Sequence, residues 1–152
     1  MTPIERLLAI EAIKTVFARR LRYMDTGQWH LYAGLHTPDA VSETFSHAPS
    51  VVGAQAIADA IRNYMTGGIA PITSVHHAHT PEIELLSDSE ATGIWPMEDH
   101  LWWRNGAQEE HLHGYGHYHE RYRRVDGQWL IAWRKLTRLR VDHTPAFFSR
   151  IS

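Results

Sequence analysis

Halfway along, the chain changes period, and that change does most to limit its fold. From Ser74 onward, apolar and polar residues alternate in long runs, and two of the joints read Asn105-Gly106 and Asp126-Gly127. Asn-Gly and Asp-Gly suit the left-handed backbone of a tight turn, whose twist matches that of paired strands. The runs are expected as strands over His76–Leu86 (broken by Ser87-Asp88), Glu90–Trp103, Gln108–Arg124 and Gln128–Asp142. Strands of this length, joined this tightly, form an antiparallel sheet that twists and curves.

The first half is helical instead. Ile10, Ile13, Phe17, Leu21 and Met24 recur at helical spacing. Thr2 caps this helix, Pro3 fits its first position, Glu5 completes a capping box and Gly27 ends it. A short second helix carries Trp29, Tyr32 and Leu35 and stops at Thr37-Pro38-Asp39. After a short strand near Ala40–Ser46, a third helix runs from Ala54 to Met65, with Ile57, Ile61, Tyr64 and Met65 as its stripe and Gly67-Gly68 as its end. With no linker, repeat or low-complexity segment, residues 1–152 read as one α+β domain. Three N-terminal helices pack on a strongly curved, mainly antiparallel sheet, forming a cone with an internal pocket.

The chain's 152 residues are enough for a real core. Fifteen Lys+Arg against 17 Asp+Glu leave a net charge of −2 without a basic run, which argues against nucleic acid as a partner. Zero cysteines exclude disulfides, thiolate zinc sites and thiol catalysis, and fit a reducing compartment. Glu5, Arg6, Glu11 and Lys14 interrupt the first segment, so it reads as neither a signal peptide nor a spanning helix; a soluble cytoplasmic protein is the expectation. The six tryptophans imply large apolar surfaces, in a pocket or between subunits, and a homodimer or homotrimer is expected.

Two acids stand where apolar residues belong. Asp25 follows Leu21 by four residues and Phe17 by eight, so it continues the buried stripe of the first helix. A carboxylate there needs a partner. In the strand Trp95–Trp103, alternation puts Asp99 on one face with Trp95, Met97, Leu101 and Trp103. Either that face is inward and Asp99 is a site acid, or Pro96 makes a bulge that turns Asp99 out to solvent.

The order of elements and its local motifs resemble the nuclear transport factor 2-like superfamily, in its SnoaL-like and scytalone-dehydratase-like branch. The matching pieces are Asp25-x-x-x-Trp29, Leu35-x-Thr37-Pro38-Asp39-Ala40, Gly53-x-x-x-Ile57, Gly93-x-Trp95-x-Met97, Gly116-x-Tyr118 and Asp126-Gly127-x-Trp129-x-Ile131. Several enzymes of this branch share an Asp at the end of the first helix and a His opening the strand after the third. The resemblance carries those positions onto Asp25 and His76, with His77 and His79 as close neighbours. It implies a dyad in which Asp25 fixes the tautomer of His76, whose free nitrogen acts as general base.

Asp99 then holds a substrate hydroxyl or donates a proton. Tyr118, at an aromatic pocket position of the family, assists a departing oxygen or is a core tyrosine. Of Arg134 and Arg138, expected on one face with Leu130, Ala132 and Leu136, one binds a substrate carboxylate or oxyanion, a solvated strand end being the alternative for Arg138. Tyr23, Trp29 and Met97 complete the expected substrate-binding set, core packing being the alternative for Trp29. His111, His113, His117 and His119 share a parity opposite to Tyr118. They are expected on the outer face as a polar or subunit-contacting surface, with metal binding the lesser reading.

The function these readings imply is a cofactor-independent lyase, of dehydratase type, acting on a small, largely apolar cyclic molecule. Each step is proton transfer, so neither metal nor redox cofactor is needed. Ketosteroid-type isomerisation and polyketide cyclisation use the same parts. From another class come a non-catalytic subunit like the small subunit of ring-hydroxylating dioxygenases and a plain ligand-binding module, because this fold serves all of them.

Overall fold

The computed structural model describes residues 1–44 and 48–151. Helix α1 (Pro3–Asp25) starts as its sequence dictates: Glu5 N donates to Thr2 Oγ1 at 3.2 Å, and Thr2 N donates back to Glu5 Oε2 at 2.6 Å. Ala9, Ile13, Phe17, Leu21 and Met24 are buried along one side. Thr26 caps the other end, and Gly27 turns the chain at φ +69°. Helix α2 (Trp29–Ala33) is a single turn, and Leu35 is buried just beyond it. Helix α3 (Ala54–Thr66) buries Ile57, Ala58, Ile61 and Met65.

The strands are β1 (His36–Glu43), β2 (Val51–Val52), β3 (Thr73–Ala78), β4 (Glu82–Leu85), β5 (Glu90–Asn105), β6 (Gln108–Val125) and β7 (Gln128–His143), and a 3-10 helix, Phe147–Ile151, follows. They form one sheet in the order β2-β1-β7-β6-β5-β3, with β4 also paired to β5. The strand expected near Ala40–Ser46 is β1, which begins earlier, at His36; Phe45 and Ser46 lie outside the described residues. It pairs with β7 in parallel, and the remaining pairs are antiparallel, so the sheet is mainly antiparallel, as expected. The single strand expected over His76–Leu86 is two. Pro81 has no N–H to give the ladder, and between the pairs Ala78↔Met97 and Glu82↔Ile94 one side advances four residues against three.

Both hairpins form. Asp126 and Gly127 have φ of 50° and 80°, the pattern of a type I′ turn. At the other, Asn105 still pairs with Gln108, so Gly106 and Ala107 make the loop, with Gly106 at φ +62°.

The helices cover the concave face. Phe17 stacks on Trp95 with centroids 3.9 Å apart and rings 6° from parallel, and Leu21, Met24, Tyr32, Ile57, Ile61, Met97 and Tyr118 join the same cluster. Burying one such side chain stabilises the fold by roughly 1.5–3 kcal/mol. Buried tryptophan N–H groups find acceptors: Trp95 Nε1 donates to Tyr122 Oη at 2.9 Å, and Trp103 Nε1 to the Phe147 carbonyl at 3.0 Å. Among the described residues no helix is long and apolar enough to cross a membrane.

Candidate active site

Alternation along β5 is unbroken through Pro96, which pairs with His117 in register. Trp95, Met97, Asp99, Leu101 and Trp103 are therefore all buried on the inward face, and the outward reading of Asp99 is excluded. β3 lies beside β5 with His76 directly opposite Asp99. The last turn of α1 sets Asp25 over β3, at the edge of the core. Three groups 49 and 51 residues away hold its carboxylate: Ser74 Oγ donates to Oδ1 at 2.8 Å, His76 N to Oδ2 at 2.8 Å, and His76 Nδ1 to Oδ1 at 2.6 Å.

With Nδ1 committed to Asp25, the other ring nitrogen of His76 is the acceptor. Nε2 lies 3.8 Å from Asp99 Oδ2. Asp99 is itself clamped by Arg138, whose Nη1 and Nη2 donate to its two oxygens at 2.7 and 2.9 Å; Met97 Sδ lies 3.8 Å from the same Nη1. A proton-donating Asp99 would have to give up one of these two bonds. The arrangement presents it as a carboxylate that fixes a guanidinium beside the base. A cleft of about 590 Å³, open between α1 and edge strand β3, is lined by Leu21, Asp25, His76 and Ala78.

Tyr118 is buried, and burial, with the charge of Asp99 adding to it, outweighs the opposing pull of Arg20 and holds its phenol above the ordinary tyrosine range. It therefore keeps its proton at any ordinary pH. Arg20 lies over its ring, 4.6 Å from the centroid.

Arg134 has a different neighbourhood. Its expected company of Leu130 and Ala132 is absent from its face. Between the pairs Tyr122↔Ile131 and Arg121↔Trp133 an extra residue, Ala132, bulges from β7 and reverses the alternation. Trp129 and Ile131 are inward before the bulge, Arg134 after it. Arg134 Nε donates to Glu120 Oε1 at 2.8 Å and Nη1 to Tyr32 Oη at 3.3 Å, and Arg20 Nε reaches the same Tyr32 oxygen at 3.3 Å. All are buried. Burial raises the Tyr32 hydroxyl, but the two guanidiniums outweigh it and leave it below the ordinary value. Arg134 thus belongs to an internal ion cluster rather than to the Asp25–His76 group.

Tyr23 also lies apart, on a separate depression of about 740 Å³ with His30, Leu31 and Gly53, and Trp29 packs edge-on against Tyr32 at 5.9 Å. The four outer histidines are where parity puts them, half-buried on the convex face of β6.

Two site residues carry signals that the pattern reading passed over. Ser74 shares the parity of His76. Gly114 stands opposite Asp99, and a Cβ there would collide with Arg138 Nη1 and Asp99 Oδ1, so the clamp occupies the space a side chain would take. A glycine inside a strand often marks such a close approach.

Residues 5–135 match the family model of the SnoaL-like domain. Among solved structures, the hexachlorocyclohexane dehydrochlorinase LinA-type3 from Novosphingobium barchaimii is similar at a TM-score of 0.82 and 17% identity, with 96% of this chain and 97% of that one covered. A candidate scytalone dehydratase from Novosphingobium aromaticivorans is similar at 0.78 and 20% identity, covering 93% and 91%. A protein of unknown function from Mycobacterium tuberculosis is similar at 0.73 and 25% identity, covering 92% and 78%. At these identities the likeness to solved structures is one of fold. The family match runs from the first turn of α1 into β7, and the chain belongs to the SnoaL-like domain family.

Proposed function

We propose that the protein is a cofactor-independent lyase that removes a proton from carbon in a small, largely apolar cyclic substrate and expels a neighbouring hydroxyl or comparable group. The observation that supports this reading is the 2.6 Å bond from His76 Nδ1 to Asp25, which turns Nε2 toward the Asp99–Arg138 clamp. His76 is the general base. Asp25 holds the ring in one tautomer and stabilises the imidazolium that forms. Arg138, fixed by Asp99, and the phenol of Tyr118 stand as donors for the oxygen that gains charge. The proton leaves carbon for His76, the electron pair forms the new double bond, and the leaving oxygen departs with a proton from Tyr118 or water.

The names of similar proteins, a dehydrochlorinase and a candidate scytalone dehydratase, agree with elimination. The same base and donors would serve isomerisation or ring closure if the leaving group were absent. Self-association as a homodimer or homotrimer is part of the proposal.

The test needs no knowledge of the leaving group. Small cyclic ketones incubated in D₂O take up deuterium next to the carbonyl where a base removes that proton. The wild type is expected to catalyse this exchange, and His76→Ala and Asp25→Asn to lower it by about 10²–10⁴-fold. Exchange that survives His76→Ala overturns the assignment of the base.

A further inference from the structure

The other face of the same strands carries a second convergence of donors. Outward residues of β5 and β6 meet across the ladder: His100 lies directly opposite His113, and Glu98 is two residues back on β5. His113 Nε2 is 3.3 Å from Glu98 Oε1, and His100 Nε2 is 3.8 Å from the same oxygen. One donor atom from each of the three lies within 4.8 Å of the others. Ligands around a tetrahedral zinc ion at ordinary bond lengths are about 3.4 Å apart.

Convergence alone is common on a histidine-rich surface. What distinguishes this group is that the remaining polar atom of every member is already held. His100 Nδ1 meets His111 Nε2 at 2.9 Å, His113 Nδ1 meets Tyr115 Oη at 3.0 Å, and Glu98 Oε2 meets His79 Nε2 at 3.1 Å. Metal-ligating imidazoles and carboxylates are held in this way by an outer ring of partners, which sets tautomer and direction. The three side chains are 21–29% exposed, enough for an ion to enter.

We propose that Glu98 Oε1, His100 Nε2 and His113 Nε2 bind a first-row divalent transition-metal ion such as zinc, with a fourth position open to water. The ion takes the place of the proton between His113 and Glu98. His113 adopts the Nδ1–H tautomer and donates to the Tyr115 oxygen, while His100 donates from Nδ1 to His111. Two imidazoles and one carboxylate favour such an ion over magnesium or calcium, which prefer oxygen alone. Strand alternation puts the site across the sheet from His76, and the ion pins β5 to β6 without entering the proton transfer.

Titration calorimetry of chelator-stripped, tag-free protein with zinc chloride tests this. One ion per chain is expected, and magnesium chloride should give no binding. His113→Ala and Glu98→Gln should each weaken zinc at least 100-fold, and Tyr115→Phe about 10–100-fold. His117→Ala, on the same face, and Asp25→Asn should bind as the wild type does. Zinc should raise the melting temperature of the wild type but not of Glu98→Gln, which keeps the carboxylate's shape. No saturable zinc binding by the wild type overturns the proposal, and so does undiminished affinity in His113→Ala or Glu98→Gln.

Discussion

At the scale of single residues, the site depends on one missing side chain. Gly114 makes room for the Asp99–Arg138 clamp, and the atoms its Cβ would meet are the ends of flexible side chains rather than backbone. Gly114→Ala should therefore displace the clamp and leave the fold standing. The expected result is a loss of exchange activity of the order of 10²-fold, as for any misplacement near 1 Å, with the melting temperature little changed. Activity equal to the wild type would mean that the clamp does not position the reacting groups. Asp25 and Asp99 were legible because an acid in an apolar pattern contradicts the pattern. Gly114 was less so, since its partner follows only from the hairpin register. A loop placed at Asn105-Gly106, one residue too early, would have set Asp99 against Leu112; only the loop at Gly106-Ala107 opposes it to Gly114.

Elements follow a similar division. Capping signals and periodicity place α1 and α3, and the strand runs place β5, β6 and β7, because each is set by neighbours in the chain. The parallel pairing of β1 with β7 and the bulge at Ala132 are tertiary choices with no local signal, and that bulge is why Arg134 keeps different company from the one its parity suggested. The junction of α2 and β1 carries a consequence for pH. His36 is buried there, with Nδ1 2.9 Å from the Tyr32 carbonyl. Burial first, then the charges of Arg134 and Arg20, lower its pKa to about 3. The unfolded chain takes up this proton below about pH 6.5, whereas the folded chain does so only near 3. Stability from this group is thus complete above pH 6.5 and falls through that window as pH drops, by about 1.4 kcal/mol per pH unit. Urea unfolding of wild type and His36→Asn between pH 7 and pH 4.5 should give a steeper decline for the wild type; parallel declines would remove His36 as the cause.

For the molecule as a whole, the internal ion cluster ties two helices to the sheet they cover. Arg20 comes from α1, Tyr32 from α2, Glu120 from β6 and Arg134 from β7. Glu120 is the acid between two guanidiniums, its side chain wholly buried. Glu120→Gln keeps the shape and removes the charge, leaving Arg20 and Arg134 uncompensated. It should lower unfolding free energy by about 3–5 kcal/mol, read from urea midpoints at constant slope. A loss under 1 kcal/mol would show that the cluster is compensated in another way.

The Asp25 contacts have a different meaning when the protein is considered in time. Tight turns join β5 to β6 and β6 to β7, but the dyad closes a gap of 51 residues, and β3 is an edge strand with a ladder on one side only. Edges open locally at lower free energy than the body of a sheet. Catalysis would then fail first by a brief release of one strand from one helix end, while the remainder stays folded. The fold can persist through conditions that silence its chemistry, and proton-transfer competence becomes a gauge of that single edge.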